Sequence, residues 1–165
     1  MTYVEETVNI NNETLILNNL RVVYWPEKDA LILSDLHIGK PRHFRKHGIP
    51  ISANVQQEDL DRLSFLIKLY DPKQLIIVGD MFHTGHISEV ESFLNWFKAY
   101  SDLTVQLIKG NHDRIPYSIE MSERMIVYNN HYEISPFVFV HDPENSDDEF
   151  VISGHIHPGV RIKSR

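Results

Sequence analysis

The chain has 165 residues, 42% of them hydrophobic and 24% charged, with a formal net charge of −7. That length buries about two-thirds of the unfolded chain's surface, so one soluble domain over residues 1–165 is expected, and the acidic balance argues against broad non-specific binding to nucleic acid. The absence of cysteine excludes disulfides and thiolate metal sites and fits a cytoplasmic protein, while no signal peptide and no apolar run of roughly 20 residues points to a membrane.

From Tyr3 to Ile10 and from Glu13 to Tyr24 apolar and polar residues alternate, with Asn11-Asn12 between them, which predicts a β-hairpin that Asn18-Asn19 interrupts. Trp25 to Asp29 reads as a loop and Ala30-Leu-Ile-Leu33 as a buried strand. That strand ends in Ser34-Asp35-Leu36-His37-Ile38-Gly39-Lys40. From Lys40 to His47 the chain gathers four formal positive charges and two histidines. Such a run is either a solvated basic loop or a set of contacts to substrate phosphates.

Ser52 or Asn54 is placed to cap a helix running to about Tyr70, with Leu60, Leu63, Phe65, Leu66, Ile67 and Leu69 on its apolar face and Asp71-Pro72 as its stop. Gln74 to Val78 is the next strand, ending in Gly79-Asp80-Met81-Phe82-His83. A second helix from Ser88 to Tyr100 precedes the strand Leu103 to Ile108, which ends in Gly110-Asn111-His112-Asp113-Arg114. Strands alternating with helices predict a parallel sheet with crossover helices. Past Arg114 three short strands follow one another, Met125 to Tyr128, His131 to Ile134 and Pro136 to Val140, and predict a second, more antiparallel sheet. An acidic loop, Asp142 to Glu149, leads to the strand Phe150 to Ser153 and to Gly154-His155-Ile156-His157-Pro158.

Five strands thus end in side chains of one chemical kind: Asp35 and His37; Asp80 and His83; Asn111, His112 and Asp113; His141; His155 and His157. Any one of these is an ordinary turn or core histidine, but five in one chain are not. Carboxylate and amide oxygens with imidazole nitrogens suit a pair of divalent ions such as manganese, iron or zinc. The two-residue spacing of Asp35 and His37 would put both on one side of an extended chain. Glycine before Asp80, Asn111 and His155 would permit tight turns and close approach to an ion.

The series Asp-x-His, Gly-Asp, Gly-Asn-His-Asp, a separate His and Gly-His-x-His, in this order from Asp35 to His157, resembles the calcineurin-like metallophosphoesterases. More narrowly, Asp35 to Lys40, Phe44-Arg45, Gly48 to Pro50, Gly79 to His83, Gly110 to Arg114, His141 to Pro143 and Gly154 to Pro158 look like the bacterial DNA ligase-associated members. The resemblance implies an α/β fold, an αββα sandwich of two mixed sheets flanked by helices. The chain ends soon after Gly-His-x-His, so a second sheet shortened at the C-terminus is expected. It implies a first metal held by Asp35, His37 and His157, a second held by Asn111, His141 and His155, and Asp80 bridging them, with manganese first and iron or zinc as alternatives. His112 would meet the phosphoryl group, and Asp113 either orients it through a hydrogen bond or caps the turn. His83 resembles a histidine that handles the phosphodiester in the Mre11 nuclease branch. Lys40, Arg42, Arg45 and Arg114 are candidates to bind substrate phosphate.

The expected reaction is hydrolysis of a phosphate ester, with a phosphodiester in nucleic acid or a nucleotide as first choice. Repair proteins such as a ligase or helicase are the partners that the narrower likeness implies. A phosphomonoesterase on a small metabolite or phosphoprotein uses the same metals, and a non-catalytic scaffold keeps the same fold. The oligomeric state is open.

Overall fold

Four apolar runs, each too short for a helix, form the parallel centre of a seven-stranded sheet in a computed structural model, which describes residues 1–52, 54–83, 87–115, 119 and 122–156, with 87 and 89 by backbone alone. They are β4 (Ala30–Leu33), β5 (Gln74–Val78), β6 (Thr104–Ile108) and β7 (Met125–Tyr128). The antiparallel strands β1 (Glu5–Ile10), β2 (Glu13–Asn18) and β3 (Val22–Trp25) extend the sheet from β4, giving the order β1-β2-β3-β4-β5-β6-β7. A second sheet has β9 (Phe137–Val140) at its centre, antiparallel to β8 (His131–Ile134) and parallel to β10 (Val151–Ser153).

The side-chain period of two sorts the central strands onto two cores. Leu31, Leu33, Leu75, Ile77, Val105 and Leu107 pack against Leu60, Leu63, Leu66 and Ile67 of α2 (Val55–Tyr70) and Val90, Phe93 and Phe97 of α3 (Ile87–Phe97). The alternate residues Ala30, Ile32, Ile76, Val78 and Ile108 face Trp25, Phe137 and Phe139, and the Trp25 ring meets Phe137 edge-on at 5.0 Å. Both faces of β4 and β5 are covered, which is why Ala30–Leu33 and the run from Leu75 to Val78 are apolar throughout instead of alternating. The layers are helices, first sheet and second sheet, the first three of the expected αββα sandwich. Among the described residues no helix is long and apolar enough to cross a membrane.

Several local features follow the sequence reading. Asn11 and Asn12 both have positive φ, 51° and 66°, as a two-residue hairpin turn requires. Asn18 breaks the next strand by accepting from the Leu20 amide at 2.9 Å and donating to the Tyr70 hydroxyl at 2.8 Å. α2 starts after Asn54, whose side chain makes no capping bond. It stops at Asp71 with φ 47°, just before Pro72. α3 ends three residues before Tyr100, where the Ala99 and Tyr100 amides turn to the Trp96 and Phe97 carbonyls.

Two expectations are corrected. Met125 to Tyr128 does not join the second sheet; it pairs parallel with β6 in the first. The segment between β6 and β7 is long enough for a crossover, and its buried Ile119 packs in the helical core. The basic run after Gly39 is not a loop: α1 (Lys40–Lys46) begins there, with Pro41 in its first turn. Gly39 has φ 92° and donates its amide to Gln56 of α2 at 3.1 Å. Proline in a first turn lacks only a donor that would be unpaired anyway, so seven residues suffice for this short helix.

Candidate metal centre

The carboxyl ends of β4, β5 and β6 lie side by side, and the loops leaving them are stitched together by backbone hydrogen bonds. The Asp35 amide donates to the Gly79 carbonyl at 3.1 Å, the His37 amide to Asp80 at 2.8 Å and the His83 amide to Ile38 at 2.9 Å. Asp35, His37 and Asp80 have left-handed backbone, with φ of 55°, 46° and 52°. This corrects the extended Asp-x-His: a turn, not strand alternation, brings Asp35 and His37 together. Such backbone costs about 1–3 kcal/mol per residue and persists where its surroundings over-determine it.

Asp35, His37 and Asp80 each offer a ligand atom, all within 4.8 Å of one another. His37 Nε2 lies 3.8 Å from Asp35 Oδ1 and 4.0 Å from Asp80 Oδ2. These gaps exceed hydrogen-bonding distance, and burial, with the charge of Lys40 adding to it, lowers the His37 pKa to about 4, so these are not ion pairs at neutral pH. Donors that share an ion at about 2.1 Å each lie at most about 4.2 Å apart, and the gaps fit that limit. Ser34 donates to Asp35 Oδ2 at 2.5 Å and steadies that carboxylate.

A second group meets Asp80 from the other side. His141 Nδ1 donates to the Val78 carbonyl at 3.2 Å, since a carbonyl can only accept. Its Nε2 faces Asn111 Oδ1 at 3.0 Å and Asp80 Oδ1 at 3.6 Å. Two oxygens and an imidazole nitrogen converging in this way are donor types that suit a divalent cation. The ring of His155 stands 5.0 Å from that of His141. His157 lies outside the described residues.

The glycines allow this convergence by leaving room for neighbouring side chains. A Cβ at Gly79 would come within 2.0 Å of His141 Nδ1, and one at Gly110 within 2.2 Å of Asp80 Oδ1. Each glycine makes room for a neighbouring donor side chain.

Asp113 takes the turn-capping geometry, the second of its two expected roles. Its carboxylate accepts from the Phe82 amide at 2.7 Å and the Gly110 amide at 2.9 Å, and neither bond involves the His112 ring. Asp113 ties the loop after β5 to the loop after β6. Burial raises its pKa, against the lowering effect of those two amides. His112 is placed by its own amide, which donates to Asp80 Oδ1 at 3.0 Å, and is exposed. The His83 ring lies tilted 5.6 Å from that of His112 and edge-on 5.8 Å from that of His37, and burial lowers its pKa, helped by the nearby His43.

Of the four cations expected at the phosphate, Arg42 donates to the Ser88 hydroxyl and Arg45 to the Ser52 carbonyl at 3.3 Å. Lys40 is close enough to bias both His37 and His83. Arg114 is exposed and has no hydrogen bond or ion pair among the described residues. Sequence reasoning missed Ser34 and Gln56, and placed His43 only within the basic run from Lys40 to His47.

A family model for calcineurin-like phosphoesterases matches residues 29–157, the stretch that holds every one of these donors. The chain belongs to that family. The metallophosphoesterase assignment makes it a metal-dependent phosphoester hydrolase using divalent ions, for which Asp35, His37 and Asp80 form a candidate site. Among solved structures this metallophosphoesterase is similar to the Pseudomonas putida nuclease MPE, with 30% identity over 94% of this chain and 74% of that one and a TM-score of 0.79. No curated protein matches the sequence.

Proposed function

We propose that this chain is a two-metal phosphodiesterase acting on nucleic acid or nucleotides. The observation that carries the reading is the position of Asp80 between two imidazoles, with Oδ2 4.0 Å from His37 Nε2 and Oδ1 3.6 Å from His141 Nε2. Asp35, His37 and His157 would hold one ion, Asn111, His141 and His155 the other, and Asp80 both. When bound, two divalent ions, manganese first and iron or zinc as alternatives, supply Lewis acidity that polarises the phosphoryl oxygens and acidifies a water for in-line attack.

The rest falls to the chain's own side chains. His112, exposed and held to Asp80 through its backbone, would protonate the leaving oxygen or hold a phosphoryl oxygen. Asp113 would act by fixing the two loops that carry Asp80 and Asn111. His83 would help seat the phosphodiester, and Lys40 and Arg114 would meet phosphate oxygens. The kinship with the Pseudomonas putida nuclease and the narrower motif likeness favour nucleic acid as substrate, and with it a cytoplasmic place in DNA repair beside a ligase or helicase.

The test is turnover of bis-p-nitrophenyl phosphate and p-nitrophenyl phosphate by manganese-loaded protein. The diester should be the better substrate. Turnover of the monoester alone would overturn the diesterase reading, and a metal-loaded protein inert to both would favour a scaffold.

A further inference from the structure

The row of imidazoles does not stop at the metal centre. The His112 ring lies 5.6 Å from His83, His83 lies 4.8 Å from His43, and His43 lies 4.3 Å from His47. His43 is on α1, and His47 follows one turn later at that helix's end. α1 has the sequence Lys-Pro-Arg-His-Phe-Arg-Lys, four formal cations and no acid, in a chain whose net charge is −7.

The contacts of α1 divide its cations by task. Arg42 reaches Ser88 of α3 and Arg45 the Ser52 carbonyl, so both tie the helix to its surroundings. His47 Nδ1 donates to the His43 carbonyl at 2.8 Å and braces the turn that carries His43. Among the described residues neither ring nitrogen of His43 is hydrogen-bonded, and the ring is half-buried against His83. Lys40 stands near the same His83.

The opposite flank has the reverse character. A cavity of about 1150 Å³ opens beside Asn111, His141 and His155, and among the described residues Glu133, Asp142, Asp147 and Asp148 line it with Lys109 as the single cation. A strand whose scissile phosphate sits at Asp80 must carry its next phosphate over one flank or the other. Four carboxylates repel it on the cavity side, and the basic helix attracts it on the other.

We propose that His43, together with Lys40, binds the phosphate adjoining the scissile one, so that the natural substrate is a nucleic acid strand lying along α1. This rests on the phosphodiesterase reading above and adds a substrate-contacting residue and a direction to it. The strand leaves the centre over α1 and away from the large cavity.

The experiment compares kcat/KM on a ten-nucleotide oligothymidylate and on bis-p-nitrophenyl phosphate, which has a single phosphate, for manganese-loaded wild-type protein and His43→Ala. The ratio of oligonucleotide to small diester should fall tenfold or more in the variant, mainly through KM. The salt dependence of the oligonucleotide KM should flatten by about one unit in Lys40→Ala. His43→Gln, which keeps an N–H donor, should recover part of the ratio, and all three variants should melt with the wild type. Equal losses on both substrates would overturn the proposal, since His43 would then act only through His83. Wild-type protein that turns over the small diester and leaves the oligonucleotide intact would also overturn it, with the phosphodiesterase reading still standing. Inertness to both substrates would overturn the two together.

Discussion

The two flanks of the metal centre share a floor and differ in everything above it. On one side α1 brings cations and imidazoles against His83; on the other, a cavity of about 1150 Å³ is walled by Glu133, Asp142, Asp147 and Asp148. Size alone would assign the substrate to the cavity. Charge assigns a polyphosphate to α1, because unit charges a few ångströms apart near a protein surface interact by about 4 kcal/mol, enough to decide between equally open paths. The floor beneath both flanks is buried: Asp80 is 3% exposed, Asp113 5% and His141 6%. Substitutions in the floor should therefore disturb metal and fold, and substitutions on the flanks should change which substrates are taken.

The largest effect is expected at Asp80, which belongs to both halves of the floor. Asp80→Asn should lower metal content and reduce diester hydrolysis by on the order of 10³-fold or more, since Lewis-acid stabilisation contributes several kcal/mol and each 1.36 kcal/mol is a decade; metal analysis and bis-p-nitrophenyl phosphate turnover measure the two. His112→Ala should cost about 10²–10³-fold in kcat with metal content and melting temperature held, because His112 is exposed. Asp113→Asn should act as a floor variant, losing about 10–100-fold in activity and about 1–3 kcal/mol of stability as one buried amide loses its acceptor, read by urea unfolding. Reversing charge on the cavity side, with Asp147→Lys and Asp148→Lys together, should raise oligonucleotide kcat/KM about threefold at low salt. No change there would count against the electrostatic contrast between the flanks.

Far from both flanks, Tyr70 joins α2 to the edge strands through Asn18 and Glu5. Burial, with Glu5 adding to it, raises its pKa to about 12. A raised folded-state pKa means that the folded protein holds the phenolic proton more tightly. The resulting stability is fully present below pH 10, the unfolded value, and is lost as pH rises toward 12. Tyr70→Phe should cost about 1 kcal/mol at neutral pH, flatten that alkaline decline in a thermal-melt series, and leave phosphoester turnover unaltered.

The ends of the parallel strands were legible because the chemistry needed there is compositional. Asp35, His37, Asp80, Asn111, His141 and His155 are the oxygen and nitrogen donors proposed for the site, and each follows a recognisable apolar run. The backbone that aims them was not legible, since left-handed φ at Asp35, His37 and Asp80 is imposed by hydrogen bonds between separate loops. Nor does an apolar alternation name its partner, so Met125 to Tyr128 read as a strand but was assigned to the wrong sheet. α1 was hidden because its seven residues, five of them charged or basic, show no buried face; it is held by Gln56, Ser52 and Ser88 from elsewhere in the chain. Asp113 was recognised as important, yet its targets, the Phe82 and Gly110 amides, become neighbours only in the folded protein.

The central claim is a dinuclear centre that shares Asp80, and the most direct test is a manganese titration of metal-free protein that follows bis-p-nitrophenyl phosphate hydrolysis and bound metal together. Activity should remain low through the first equivalent per chain and rise with the second, and both stages should be weakened in Asp80→Asn. Full activity at one equivalent, or hydrolysis without any divalent ion, would contradict it.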